Sequence, residues 1–169
     1  MNLRNSALLC FFVLAACMFA AAGTAPSHCS ADEKVIFSCK IAKAKVISLC
    51  ASATLDGTSG YLQYRFGPLG QPAELVYPAT KDHPKTHFKS GTLSYSGGGG
   101  AYLEFFNNDF EYVVYTGVGR GWEKEGLDVL KAGKQVSNLR CVTEPVSELG
   151  PDFFDKAAIP AADDEFEIP

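Results

Sequence analysis

A chain of 169 residues, 47% hydrophobic and 20% charged, is long enough for one domain with a sizeable core. Its formal charge of −4 is unevenly spread: thirteen Lys/Arg stand against eleven Asp/Glu from Thr24 to Thr143, and one lysine stands against eight acids from Glu144 onward. Neither part carries the clustered Lys/Arg footprint of a nucleic-acid binder, so that class of partner is excluded.

At the N-terminus, Arg4 is the only charge before an uncharged run from Ala7 to Ala22, and small residues lead from there into polar sequence at Ser27. This is the pattern of a secretory signal peptide over residues 1–23. The run falls short of the roughly 20 apolar residues a membrane-spanning helix needs. Leu14-Ala15-Ala16-Cys17 also resembles a bacterial lipobox, which makes lipidation at Cys17 the alternative to simple cleavage after Ala22 or Gly23. The expected location is the periplasm or the medium, with a membrane contact only if Cys17 is lipidated.

Six cysteines occur, and two of them, Cys10 and Cys17, belong to the leader. Cys29, Cys39, Cys50 and Cys141 are left, and an even number in an exported chain reads as two disulfides. Their spacing contains no paired C-x-x-C, so zinc does not fit.

The body, residues 24–143, reads as consecutive short strands. Glu33–Cys39 and Lys45–Cys50 are β-branched runs around the basic break Ile41-Ala42-Lys43-Ala44, a hairpin. With Ala42-Lys43 as a two-residue turn, Cys39 faces Val46 and Val35 faces Cys50. Of the three connectivities, this register favours Cys29 with Cys50 and leaves Cys39 for Cys141. Gly60–Phe66 alternates, with Leu62, Tyr64 and Phe66 on one face, and Glu74–Tyr77 returns as its hairpin partner. His87–Tyr95 forms a strand leading into AYLEFFN and FEYVVYT, two aromatic runs joined by Asn107-Asn108-Asp109. Glu123–Lys131 has some helical character, but Gly126 and Val129 oppose it, and Ala132-Gly133-Lys134 marks another turn before Gln135–Val142. The expected fold is all-β: a small, disulfide-bonded antiparallel barrel or sandwich of about eight strands. Residues 144–169, rich in proline and acids, read as a disordered tail, with docking of Phe153-Phe154 onto the barrel as the alternative.

Several chemistries fail on their residues. Gly97–Gly100 and the Gly117–Gly121 stretch lack the helix and the Lys-Ser/Thr pair of a phosphate loop, and read as hairpin tips. His83 and His87 flank Pro84, which opposes a shared helical face, and His28 reads as exposed near the mature end. No G-x-S-x-G elbow is present, and the cysteines are expected to be oxidised. Glu104 and Glu111 resemble a glycosidase pair only in type, and read as the solvated face of a hairpin. No catalytic, metal or cofactor residue is therefore assigned. Seven tyrosines, by contrast, are many for a small domain; core packing with cross-strand pairing is the favoured account of them, and the exposed ones make good anchors for a protein partner.

Phe37-Ser38-Cys39, Ser90-Gly91 with Tyr95, Tyr102-Leu103-Glu104-Phe105 and Cys141 together resemble the bacterial periplasmic and membrane-bound inhibitors of c-type lysozyme. The first motif is similar to the opening strand of that family, the second to its inhibitory loop, the third to the strand after the turn, and Cys141 to the closing cysteine. Ser96-Gly97 with Tyr102 is a second match to the loop. The resemblance implies a small antiparallel barrel and a cation that enters the lysozyme's acidic cleft. The chain departs where that cation belongs, since Thr92, Leu93 and Ser94 follow Ser90-Gly91 and the nearest candidates are Lys89 and Arg120. The expected contact residues are thus Lys89, Ser90, Gly91, Tyr95, Tyr102 and Arg120, with a lysozyme-like enzyme as partner. The alternative is a structural or envelope-stress protein without inhibitory activity.

Overall fold

The computed structural model describes residues 26–169, so the expected leader (1–23) and Cys17 lie outside the described residues. The strands are β1 (Glu33–Lys40), β2 (Lys45–Ser52), β3 (Leu62–Pro68), β4 (Leu75–Tyr77) and β5 (Lys89–Tyr95), then β6 (Gly98–Asn107), β7 (Phe110–Gly119), β8 (Trp122–Lys131), β9 (Lys134–Arg140) and β10 (Val146–Ser147). One short helix, α1 (Pro151–Lys156), follows. Two antiparallel five-stranded sheets form, in the orders β10-β1-β2-β3-β4 and β5-β6-β7-β8-β9, making a sandwich and not a closed barrel.

Alternation places the core between the sheets. Ile47, Leu49, Leu62 and Tyr64 of the first sheet meet Leu103, Phe105, Val114 and Leu127 of the second, all at most 1% exposed. Phe105 is the hub of an aromatic cluster: it stacks on Tyr77 at 4.4 Å and Tyr112 at 4.9 Å, and meets Phe88 edge-on at 5.6 Å. The Tyr64 hydroxyl, deep in this core, has no hydrogen-bond partner among the described residues, and burial pushes its pKa well above the usual tyrosine value.

The first hairpin forms as expected, but its turn is longer. Ile41 N–H donates to the Lys45 carbonyl (2.9 Å) across a 3₁₀ turn at Ala42–Ala44, so Cys39 faces Ile47 and not Val46. A β-bulge between Val35 and Phe37 absorbs the extra residue and restores the expected pairing of Val35 with Cys50. The bulge also lets the consecutive side chains Ile36 and Phe37 both enter the core. The disulfides are Cys29–Cys50 and Cys39–Cys141, the favoured connectivity. The Glu123–Lys131 stretch is strand β8, since its alternate residues Leu127 and Val129 face the core.

Both outer faces of the sandwich are covered by chain ends. Residues before β1 cross the outside of the first sheet: the Ser38 hydroxyl donates to the Pro26 carbonyl (2.7 Å), and His28 N–H donates to Ser48 Oγ (3.0 Å). His28 is consequently half-buried, with its Nε2 2.9 Å from the Gly67 carbonyl, and not exposed as its position suggested. The enclosed Glu33 carboxylate receives both Arg65 guanidinium nitrogens (2.6 and 2.7 Å), the Tyr61 hydroxyl (2.7 Å) and Ser30 N–H (2.8 Å). Burial alone would raise its pKa, but these donors outweigh it and hold the carboxyl well below the usual range.

The second cover corrects the expectation of a disordered tail. Residues 144–169 carry β10 and α1, and Phe153, Phe154, Ala157 and Ile159 join the main core. Ile168 and Phe166 lie on the outer face of the second sheet against Tyr102, Val113 and Tyr115. The acids that dominate the composition point outward between these apolar residues, so the segment docks despite its charge.

Candidate functional site

The six residues singled out for partner contact fall into two groups. Lys89, Ser90, Gly91 and Tyr102 lie under or beside the C-terminal segment. Ser90 N–H donates to the Pro160 carbonyl (2.9 Å) and Ala162 N–H to the Ser90 carbonyl (2.8 Å), so residues 160–162 run along the outer edge of β5. This covers an edge that would otherwise offer free backbone groups. Lys89 forms an ion pair with Asp163. Gly91 carries the Tyr102 ring, where an added Cβ would come within 2.4 Å of ring atoms. The Tyr102 hydroxyl donates to the Asp164 carbonyl (3.0 Å), and the residue is 3% exposed. In this structure these four residues hold the chain's own C-terminal segment, because the apolar face they flank is where Phe166 and Ile168 find burial.

Glu104 lies on that same face, paired across the strands with Lys89. It is 8% exposed, which corrects its reading as a solvated hairpin residue. Burial, and then the charge of Glu111, raises its pKa to about 7, against a smaller opposing pull from Lys89; Asp163 and Asp164 add to the rise. Burial raises Glu111 as well.

Tyr95 and Arg120 form the second group, and the fold brings them together with a residue that the motif matches passed over, Trp122. The β5–β6 and β7–β8 connections are two-residue turns, Ser96-Gly97 and Arg120-Gly121, each ending on a glycine with positive φ (+80° and +82°). Arg120 N–H donates to the Ser96 carbonyl (3.1 Å) and locks the two tips side by side. The glycine run is therefore only partly a tip. Gly98–Gly100 belong to β6, and at Gly98 a Cβ would lie 2.1 Å from the Val118 carbonyl, so glycine is needed for the close strand approach. Tyr95 and Trp122 meet edge-to-face at 5.0 Å, and Lys124 Nζ lies 5.6 Å from the Trp122 ring. The Arg120 side chain is exposed at the end of this platform. The sole tryptophan opens β8, and no local pattern marks it, because its pairing with Tyr95 depends on two hairpins meeting.

The platform has the composition of a binding hot spot, with Trp, Tyr and Arg clustered on rigid elements. Its guanidinium can present a planar fork of donors to a carboxylate. Cys29, Glu33 and Cys50 have metal-ligand proximity, but both sulfurs are in the disulfide and the carboxylate is taken by Arg65. No helix of the described residues is long and apolar enough to cross a membrane. The fold and site together define a disulfide-stapled, two-sheet antiparallel β-sandwich with an aromatic and cationic hairpin platform. Comparison of the chain with protein-family models, curated proteins and solved structures finds no match.

Proposed function

We propose that the protein is an exported, non-catalytic binding domain whose contact surface is the paired hairpin tip of Tyr95, Arg120 and Trp122, and whose partner presents an acidic cleft, as a lysozyme-like glycosidase does. The observation that carries this reading is the backbone bond from Arg120 to Ser96. It locks the two turns together, so the exposed Arg120 is presented from a fixed backbone next to the Tyr95–Trp122 pair, and little backbone entropy is lost when a partner closes on it. The Lys89 alternative is weaker, because that ammonium is already paired with Asp163. Export is supported by the leader pattern of residues 1–23 and by two disulfides, which persist in oxidising compartments. An intact-mass measurement of the mature N-terminus distinguishes a free product from one lipidated at Cys17.

The test is inhibition of c-type lysozyme on a cell-wall substrate. Wild type inhibits, Arg120→Ala weakens inhibition by at least about tenfold, the loss of one charge-assisted contact, and Lys89→Ala leaves it within about twofold. Absence of inhibition by wild type removes the lysozyme reading. It would favour the second one, a structural envelope protein, which the covering of Ser90, Gly91 and Tyr102 by the protein's own C-terminal segment supports.

A further inference from the structure

A cleft of about 630 Å³ opens where the β1–β2 turn, β3 and β9 meet. Its volume lies within the roughly 300–1,000 Å³ of small-molecule sites. Ile41, Phe66, Leu139 and Val142 make its surface apolar, and Val142 is 62% exposed although nothing in the fold requires it to be. The back wall is rigid: Ile41 bridges to Cys141, and Cys141 is bonded to Cys39.

The rim is cationic. Lys43, Lys45 and Arg140 line the cleft, and none of its lining residues is acidic. Lys45 Nζ lies 5.2 Å from the Phe66 ring and is paired with Glu74 at 2.6 Å. Lys43 and Arg140 have no carboxylate side chain as a partner among the described residues; Arg140 reaches only the Asn138 side chain and the Pro169 carbonyl, both at 3.3 Å. Backbone geometry adds an independent sign. Lys43 and Ala44 are consecutive non-glycine residues at φ +59° and +58°, a conformation their residue types disfavour and one that clusters at functional sites. The fold thus holds a cation at the mouth of the cleft at a local cost.

An apolar floor beneath the uncommitted Lys43 ammonium is complementary to a molecule with one negative end and one apolar chain. We propose that this cleft binds a single-chain anionic amphiphile, a medium-chain fatty carboxylate, with its chain along Phe66, Leu139 and Val142 and its carboxylate at Lys43. The occupancy is separate from the hairpin platform and stands whether or not the protein inhibits a lysozyme.

The experiment titrates dodecanoate, below its micelle concentration, into protein purified from the exported fraction, and follows methyl resonances by NMR. Saturable one-to-one shifts at Ile41, Leu139 and Val142 are expected, with none at Val118 or Ile168. Lys43→Glu, at an exposed position, lowers affinity at least about tenfold and leaves the rest of the spectrum in place. Should charge reversal disturb the fold, Leu139→Trp, which fills the cleft without altering charge, abolishes the shifts. Dodecyltrimethylammonium, with the same chain and opposite charge, does not bind. Equal binding of the two amphiphiles, absence of saturation, or shifts centred elsewhere overturns the proposal. So does binding to phosphatidylglycerol vesicles without binding of free dodecanoate, which would mark a membrane-facing surface.

Discussion

Glu104 shows how one residue's environment can invert its expected behaviour. Its neighbours are Lys89 on β5, Glu111 on β7, and Asp163 and Asp164 on the C-terminal segment. With its pKa raised to about 7, the folded protein keeps a proton that the unfolded chain releases near pH 4.5. Stability therefore falls as pH rises from about 4.5 through 7, and the penalty is complete above that window. Glu104→Gln removes the charge and keeps the shape. It should stabilise the protein at pH 8 by up to about 3 kcal/mol and change little at pH 4. Urea unfolding of both proteins at the two pH values checks this; equal midpoints at pH 8 would show that Glu104 ionises without penalty. Nothing in the alternation of AYLEFFN marks Glu104 as buried, because its cover includes the distant C-terminal segment around Asp163 and Asp164. The Tyr64 hydroxyl was likewise legible as inward-facing, while its want of a partner follows only from the packed neighbours.

Among the elements, the strands were the most legible and the C-terminal segment the least. β3 and the β6–β7 pair declare themselves by period-two alternation, and Asn107↔Phe110 closes the turn that Asn-Asn-Asp announces. The end of the chain has no such period. Its Phe166 and Ile168 become structural only when the outer face of the second sheet offers Tyr102, Val113 and Tyr115. Phe166→Ala with Ile168→Ala should cost about 2 to 4 kcal/mol. It should also speed hydrogen exchange at the Ser90 and Ala162 amides, which bond across this junction. Unchanged protection of those two amides would mean that the backbone bridge, and not the apolar anchors, holds the segment. Carboxylates on both sides of the junction predict lower protection factors for these amides, corrected for base-catalysed intrinsic exchange, at pH 8 than at pH 5 in the wild type.

For the whole molecule, two meandering sheets are held together by their shared core and, at the β1–β9 edge, by Cys39–Cys141. That bridge spans a sequence separation of 102, against 21 for Cys29–Cys50. In the chain-entropy picture the long bridge contributes about 4 to 5 kcal/mol and the short one about 3. Replacing Cys39 and Cys141 with alanine should lower Tm further than replacing Cys29 and Cys50. The reverse order in calorimetry would show that attachment of the N-terminal cover matters more than closure of the sandwich edge.

The amino-acid sequence by itself determined most strands, most hairpins, and the even cysteine count with its favoured pairing. These are properties of local periodicity and turn chemistry, which act over a few residues. Only the tertiary structure decided that the acidic end docks, that Ser90 and Tyr102 face the protein's own chain, that Arg120 stands beside Tyr95 and Trp122, and that Lys43 and Arg140 rim one apolar cleft. Each depends on contacts between segments far apart in the chain, where burial of complementary surfaces, and not local propensity, sets the outcome.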